Sequence, residues 1–139
     1  MDTKECKSLL QMNDLYFSKF IFENNKTKGK GETKVDVSYK ILGDIDEQTK
    51  NKVKVQIDLN ISSEDESISL FLQTIGLFEI EDKNLDPTTK DFILKRNTIA
   101  IMFPFIRSQV ALITTQPGLQ PIMLKPIDVN ALVEKTEKK

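Results

Sequence analysis

Val53-Lys54-Val55-Gln56-Ile57-Asp58-Leu59-Asn60-Ile61 alternates apolar and polar side chains without exception. Successive side chains of a β-strand point to opposite faces, so this period of two puts every aliphatic residue of the run on one face. Upstream, Val35, Val37, Tyr39 and Ile41 alternate with Asp36, Ser38 and Lys40 in the same way. Leu15 to Glu23 is dense in aromatic and β-branched residues and too short before its polar boundary for a helix, so it reads as a further strand. Ser67 to Ile80 supplies another, with Ile68, Leu70, Leu72 and Thr74 on one parity; Gly76 within it predicts a bulge or a close backbone approach. The connections Asn24 to Gly31, Gly43 to Asn51 and Ser62 to Glu66 are polar and too short for crossover helices. Four strands so joined predict an antiparallel β-meander, one face of which needs a cover.

The cover comes next in the chain. Asp86-Pro87 is a helix start, because Asp caps free amides and Pro at the first helical position loses no hydrogen bond. Ile99, Met102, Phe103, Ile106, Val110 and Ile113 then recur at helical spacing, and Ile101, Phe105 and Leu112 form a second stripe on another face. Between Asn97 and Leu124 the only ionisable side chain is Arg107. A helix of this kind predicts apolar neighbours on more than one side, which a small monomer rarely supplies. Pro104 removes an amide and predicts a kink or break near Ala100 to Phe103. Pro117-Gly118 ends the helix, Pro117, Pro121 and Pro126 impose an extended backbone, and Asp128 caps a short final helix carrying Val129, Leu132 and Val133. The expected fold is α+β, a single domain over residues 1–139 with 1–13 and 134–139 flexible.

Composition narrows the function. A net charge of -1 gives no long-range attraction for nucleic acid or an anionic membrane. Without any histidine, the usual general base and zinc ligand are missing, and no paired carboxylates, phosphate-binding glycine loop or metal-ligand cluster replaces them. The expectation is therefore no enzyme, no metal and no cofactor. Cys6 is the only cysteine, which suits a reducing compartment, and the amino end lacks the pattern of a secretory signal. Ile99 to Thr115 carries Pro104, Arg107, Ser108 and Gln109 and falls short of a membrane span. A cytoplasmic protein without membrane insertion is expected.

The extended segment after the helix is unusually rich in Leu, Ile and Met. Leu119, Ile122, Leu124 and Ile127 either pin it to the core or make it one wall of a groove for another chain. Arg107, alone in its apolar helix, either pairs a carboxylate or caps carbonyls at a subunit junction, or meets a client or partner.

Phe103-Pro104-Phe105-Ile106-Arg107, a Gly turn about ten residues later, and Leu124-Lys125-Pro126-Ile127-Asp128-Val129-Asn130-Ala131-Leu132 together resemble the SecB export-chaperone family. Gly76-Leu77-Phe78, Tyr16 and Phe22-Glu23 are similar to that family's pattern as well, and the resemblance runs from about Leu15 to Val133, strongest after Ile99. It implies an ATP-independent holdase that keeps unfolded preproteins translocation-competent and delivers them to the SecA motor. It implies a homotetramer, a dimer of dimers, packed through its sheets and long helix, with Ile99, Phe103, Phe105, Ile106, Arg107 and Val110 as interface residues. The implied client groove lies between sheet and final helix and is lined by Phe22, Tyr39, Leu119, Ile122, Leu124, Val129 and Leu132. Glu64, Asp65 and Glu66, with Glu23 in the first strand, correspond to the acidic face that receives the motor's basic zinc-binding tail. Lys19 stands where the family has Asp, and the charge is near neutral where the family is acidic. These departures admit a second branch, SecB-like chaperones that protect an antitoxin; a structural oligomer that binds no client is the remaining alternative.

Overall fold

The computed structural model describes residues 10–25, 32–44, 52–80 and 86–137. The expectations for residues 1–9 and 138–139, and for most of the first two loops (26–31 and 45–51), lie outside that set. Strands β1 (Leu10–Asn24), β2 (Thr33–Asp44), β3 (Lys52–Ser63) and β4 (Ile68–Ile80) precede helices α1 (Pro87–Ile113) and α2 (Val129–Glu137). The four strands are antiparallel, as the alternation predicts. Strand β1 starts earlier than the sequence suggested: residues 10–13, expected to be flexible, belong to it, with Leu10 opposite Ile80 and Met12 opposite Phe78. At the other end, residues 134–137 are helical.

The order across the sheet is β1-β4-β3-β2, so the meander holds only for β2, β3 and β4. Short connections dictate direction, not adjacency. Residues 25–32, fully extended, span roughly 26 Å, and crossing from β1 past β4 and β3 to β2 takes about 14 Å. Both ends of that crossing are tied to the β3–β4 turn, where Asn25 N donates to Ser67 O at 2.8 Å and Glu64 N donates to Glu32 O at 3.1 Å. The crossing leaves β1 and β2 as the two edges of the sheet.

The face predicted from Val53 to Ile61 is the one the helices cover. Val53 lies opposite Phe78, Val55 opposite Gly76, Leu59 opposite Leu72 and Ile61 opposite Leu70, all buried. From above, α1 contributes the predicted stripe of Ile99, Met102, Phe103, Ile106, Val110 and Ile113, every member buried. At Gly76 helix and sheet meet without room for a side chain: a Cβ there would sit 2.9 Å from Met102 Sδ and 2.6 Å from Phe78 Cε2. Of the two readings of Gly76, close approach is therefore the one realised. The register irregularities fall elsewhere, at Met12/Asp14 and Phe17/Lys19 in β1 and at Ile41/Gly43 in β2.

Helix α1 starts as expected, with Asp86 accepting from Thr89 N at 2.8 Å and Pro87 in its first turn. It does not break at Pro104. Both Pro104 and Ala100, whose carbonyl loses its partner, lie on the exposed side, where water can take the place of the missing amide. Among the described residues, no helix is long and apolar enough to cross a membrane.

One polar pair crosses the core: Tyr39 of β2 and Thr98 of α1 share a hydrogen bond, Oη to Oγ1, at 3.1 Å. Burial pushes the Tyr39 hydroxyl up to about 12, and the bond to Thr98 only partly opposes the shift. Unfolded, the same group ionises near 10, so stability attributable to it is intact below that pH and falls as pH rises through roughly 10 to 12. Tyrosinate absorbance should show Tyr39 titrating well above the ordinary tyrosine range. Tyr39→Phe should flatten the alkaline loss of stability by up to about 3 kcal/mol.

Candidate functional site

The segment from Thr115 to Asp128 has no regular secondary structure, yet it is fixed to α1 at defined points. Thr114 Oγ1 donates to Val110 O at 2.8 Å and accepts from Ile122 N at 2.8 Å. Two residues on, Arg107 Nε donates to Leu124 O at 3.0 Å. In extended backbone the amide and carbonyl of residues i and i+2 point the same way, so Thr114 and Arg107 grip the same edge of the segment. Arg107 thus caps a carbonyl, as the structural reading held, but within its own chain. Asp128 then caps α2 by accepting from Ala131 N at 3.1 Å, and Arg96 Nε donates to Asn130 Oδ1 at 2.9 Å, which ties the start of α2 to α1.

Held in this way, the segment stands beside β2 without filling the space between them. An open cavity of about 680 Å³ results, with Val35 and Val37 of β2 on one side, Ile122, Met123, Leu124 and Ile127 on the other, and Phe103 of α1 at its end. Glu32, Thr33 and Lys125 also line it. Its walls are mainly aliphatic, so what it offers chemically is apolar burial, at roughly 25 cal/mol per Å². Two smaller hollows adjoin it: about 210 Å³ bounded by Pro104, Arg107, Pro126 and Val129, and about 190 Å³ beside Tyr39 and Thr136.

Of the residues expected to form the groove, Ile122 and Leu124 line the main cavity, Val129 lines the hollow next to it, and Leu119 is half-buried in the turn before it. Leu132 belongs to the core instead, and Tyr39, itself buried, borders the smaller hollow beside Thr136, because α2 packs its apolar face down on β2. Phe22 is on β1, the opposite edge of the sheet, because β1 crosses to β4. Ile127, read from sequence as either core or groove wall, lines the cavity; Val35, Val37 and Met123 were missed as cavity residues. The alternation with Tyr39 already placed both valines on the covered face; only the strand order reveals that β2 is an edge.

The expected interface residues divide similarly. Ile99, Phe103, Ile106 and Val110 are spent inside the chain against the sheet, since a helix on a four-stranded sheet needs one full stripe to close its own core. Phe105 remains 47% exposed, in company with Leu112 at 67% and Phe92 at 55%, the Phe92 ring lying under the Arg96 guanidinium at 3.9 Å.

The acidic residues gather at one end of the sheet. Glu64, Asp65 and Glu66 form the β3–β4 turn, Glu66 with φ 61, and Glu23 lies opposite Ser69 nearby. Asp65 is occupied by the turn itself: it accepts from Ser67 Oγ at 2.7 Å, Ser63 Oγ at 2.8 Å and Ser67 N at 3.1 Å. These donors, the Ser67 hydroxyl foremost, hold its carboxyl at about 2. The turn's support from this charge is present above the ordinary carboxylate range, near 4, and lost as pH falls toward 2. Carboxyl titration by NMR should find Asp65 well below the ordinary carboxylate range, and Asp65→Asn should loosen the turn at neutral pH.

The family described as preprotein translocase subunit SecB matches residues 3–139. The chain belongs to the SecB family. A protein-export protein SecB from Anaplasma phagocytophilum is 36% identical over 86 residues, 59% of this chain and 54% of that protein. One from Rickettsia felis is 27% identical over 143 residues, covering 96% of this chain and 91% of that protein. Among solved structures, a SecB-like chaperone of Mycobacterium tuberculosis, in complex with a ChAD peptide from an antitoxin, superposes with a TM-score of 0.70 at 16% identity. That likeness covers 90% of this chain and 92% of the other, and shows that this SecB-family chain has the SecB-like fold.

Proposed function

We propose that this SecB-family chain is an ATP-independent holdase that binds unfolded polypeptides in the cavity between β2 and the segment Leu119 to Ile127. The observation carrying this reading is an apolar cavity of about 680 Å³ that stays open because its outer wall is hydrogen-bonded to α1. Apolar walls bind by area, without sequence specificity, which is what a holdase requires. Phe105 and Leu112, seven residues apart on one outer face of α1, support assembly into a dimer of dimers, because a helix face with such residues exposed invites a second helix. The test is light scattering with and without a reduced, alkylated protein that stays unfolded. An oligomer that suppresses its aggregation, and a variant with Ile122→Ser and Leu124→Ser that remains oligomeric but does not, are the expected results. A double variant as active as the parent overturns the assignment of the cavity.

Delivery to SecA is the partner reading that the acidic end of the sheet supports. A second reading, protection of an antitoxin, is favoured by one feature of the same face. Lys19, Ile21 and Glu23 of β1 lie opposite Gln73, Phe71 and Ser69, so a basic and two apolar side chains interrupt the acidic character. Titration with the basic zinc-binding tail of the motor separates the two: binding that Glu23→Lys abolishes supports delivery, and no binding supports the antitoxin branch.

A further inference from the structure

Arg107 makes one contact where a guanidinium has donors for several. Its Nε donates to Leu124 O at 3.0 Å, and among the described residues neither a further hydrogen bond nor a carboxylate reaches its terminal nitrogens. Other cations of the two helices are engaged: Lys95 pairs with Asp91, Lys135 with Asp36, and Arg96 bonds Asn130 and stacks on Phe92. Between Asn97 and Leu124 Arg107 is the only ionisable side chain, and the acids that flank this stretch are spent, Asp91 on Lys95 and Asp128 on the amide of Ala131. A half-buried guanidinium without a counter-charge has given up part of its hydration and received nothing ionic in return.

Arg107 lines the hollow of about 210 Å³ between α1 and the start of α2. Ala100 and the rings of Pro104 and Pro126 are too short to fill it, and Val129 completes an otherwise apolar lining. Phe103 and Ile127 line both this hollow and the cavity beside β2, so the two spaces are neighbours on one surface. Phe105 and Leu112, where a second helix is expected, lie about 140–160° around α1 from Arg107, so the hollow is on a different face from that contact.

We infer that this hollow is an anion subsite beside the client cavity, in which the terminal nitrogens of Arg107 take the carboxylate of an Asp or Glu side chain from the bound polypeptide. The paired N–H groups of a guanidinium match the two oxygens of a carboxylate, and apolar walls strengthen such a bond by keeping water from it. The bond from Nε to Leu124 O holds the guanidinium plane in place beforehand, so little freedom is lost when the acid arrives. A segment crossing the cavity in mid-chain brings side-chain carboxylates and no terminal one, which fixes the source. The inference rests on the client-binding reading of the cavity and adds a charge selectivity to a surface that otherwise binds by apolar area.

The test uses the full chain and two synthetic peptides of Leu, Tyr and Ser, alike except for one central residue, Glu in the first and Gln in the second, and blocked at both ends. By fluorescence anisotropy the Glu peptide should bind about five- to tenfold more tightly than the Gln peptide, and the advantage should shrink as salt is added. Arg107→Gln, which keeps an N–H for Leu124 O and drops the charge, should bring the two affinities within about twofold of each other. Arg107→Lys, which keeps the charge, should retain a preference for Glu. A role confined to holding the wall would move both affinities together, along with amide exchange from Gln116 to Leu124, and leave their ratio alone. Equal affinities on the parent chain overturn the anion subsite while leaving the holdase intact. A preference for Glu that survives Arg107→Gln overturns it also, by placing the recognising cation elsewhere. Binding of neither peptide, with the unfolded alkylated protein still held, overturns it too; if that protein is not held either, the holdase reading itself fails.

Discussion

Gly76→Val is expected to cost at least about 3 kcal/mol, the upper end of what overpacking a core does and a large part of the roughly 5–15 kcal/mol that holds a domain together. The added Cβ alone would meet Met102 Sδ at 2.9 Å and Phe78 Cε2 at 2.6 Å, and both side chains are buried with little room to turn. Valine's strand preference, worth under about 1 kcal/mol, does not compensate. Gly76→Ala should cost about 1–3 kcal/mol by the same mechanism. Met102→Ala alone should destabilise by about 2–5 kcal/mol through its cavity, yet combined with Gly76→Val it should cost much less than the sum. A chemical-denaturation cycle over the four proteins checks this; strict additivity would mean that helix and sheet do not meet at Gly76.

The largest functional effect is expected from releasing the segment that walls the cavity. Arg107→Ala removes the donor to Leu124 O, and Thr114→Val leaves the amide of Ile122 without its acceptor. Each loss should cost the docked arrangement about 1–3 kcal/mol, so together they can reverse the docking of a segment with no ladder of its own. The double variant should fold, since α1 and the sheet keep their core, but it should exchange amide hydrogen rapidly from Gln116 to Leu124 and lose most of its aggregation suppression. Thr114→Ser, which keeps the hydroxyl, should behave as the parent. A double variant that exchanges rapidly but suppresses aggregation in full would show that the wall need not be rigid.

The strands and the covered face were legible in the sequence because a period of two over Val53 to Ile61 permits one assignment of faces, and a one-residue slip would put all five aliphatic residues in water. The stripe from Ile99 to Ile113, the caps at Asp86 and Asp128 and the approach at Gly76 were legible for the same kind of reason: each follows from local geometry within a few residues. Which strand lies beside which does not. A connection such as 25–32 is long enough to reach more than one partner, and the choice of β4 over β2 depends on the apolar side chains of β1, Met12, Leu15 and Phe17, finding a place under α1.

The candidate site inherits that division. Sequence by itself determined that this chain would be an antiparallel sheet under a long apolar helix, followed by a proline-stiffened segment with apolar residues to spare. Only the tertiary structure decided that β2 is an edge, that Tyr39 and Leu132 are buried by α2, and that Arg107 and Thr114 hold the segment away from β2. A cavity is a relation among residues far apart in the chain, here Val35, Phe103 and Leu124, and no local periodicity encodes a space that packing leaves unfilled.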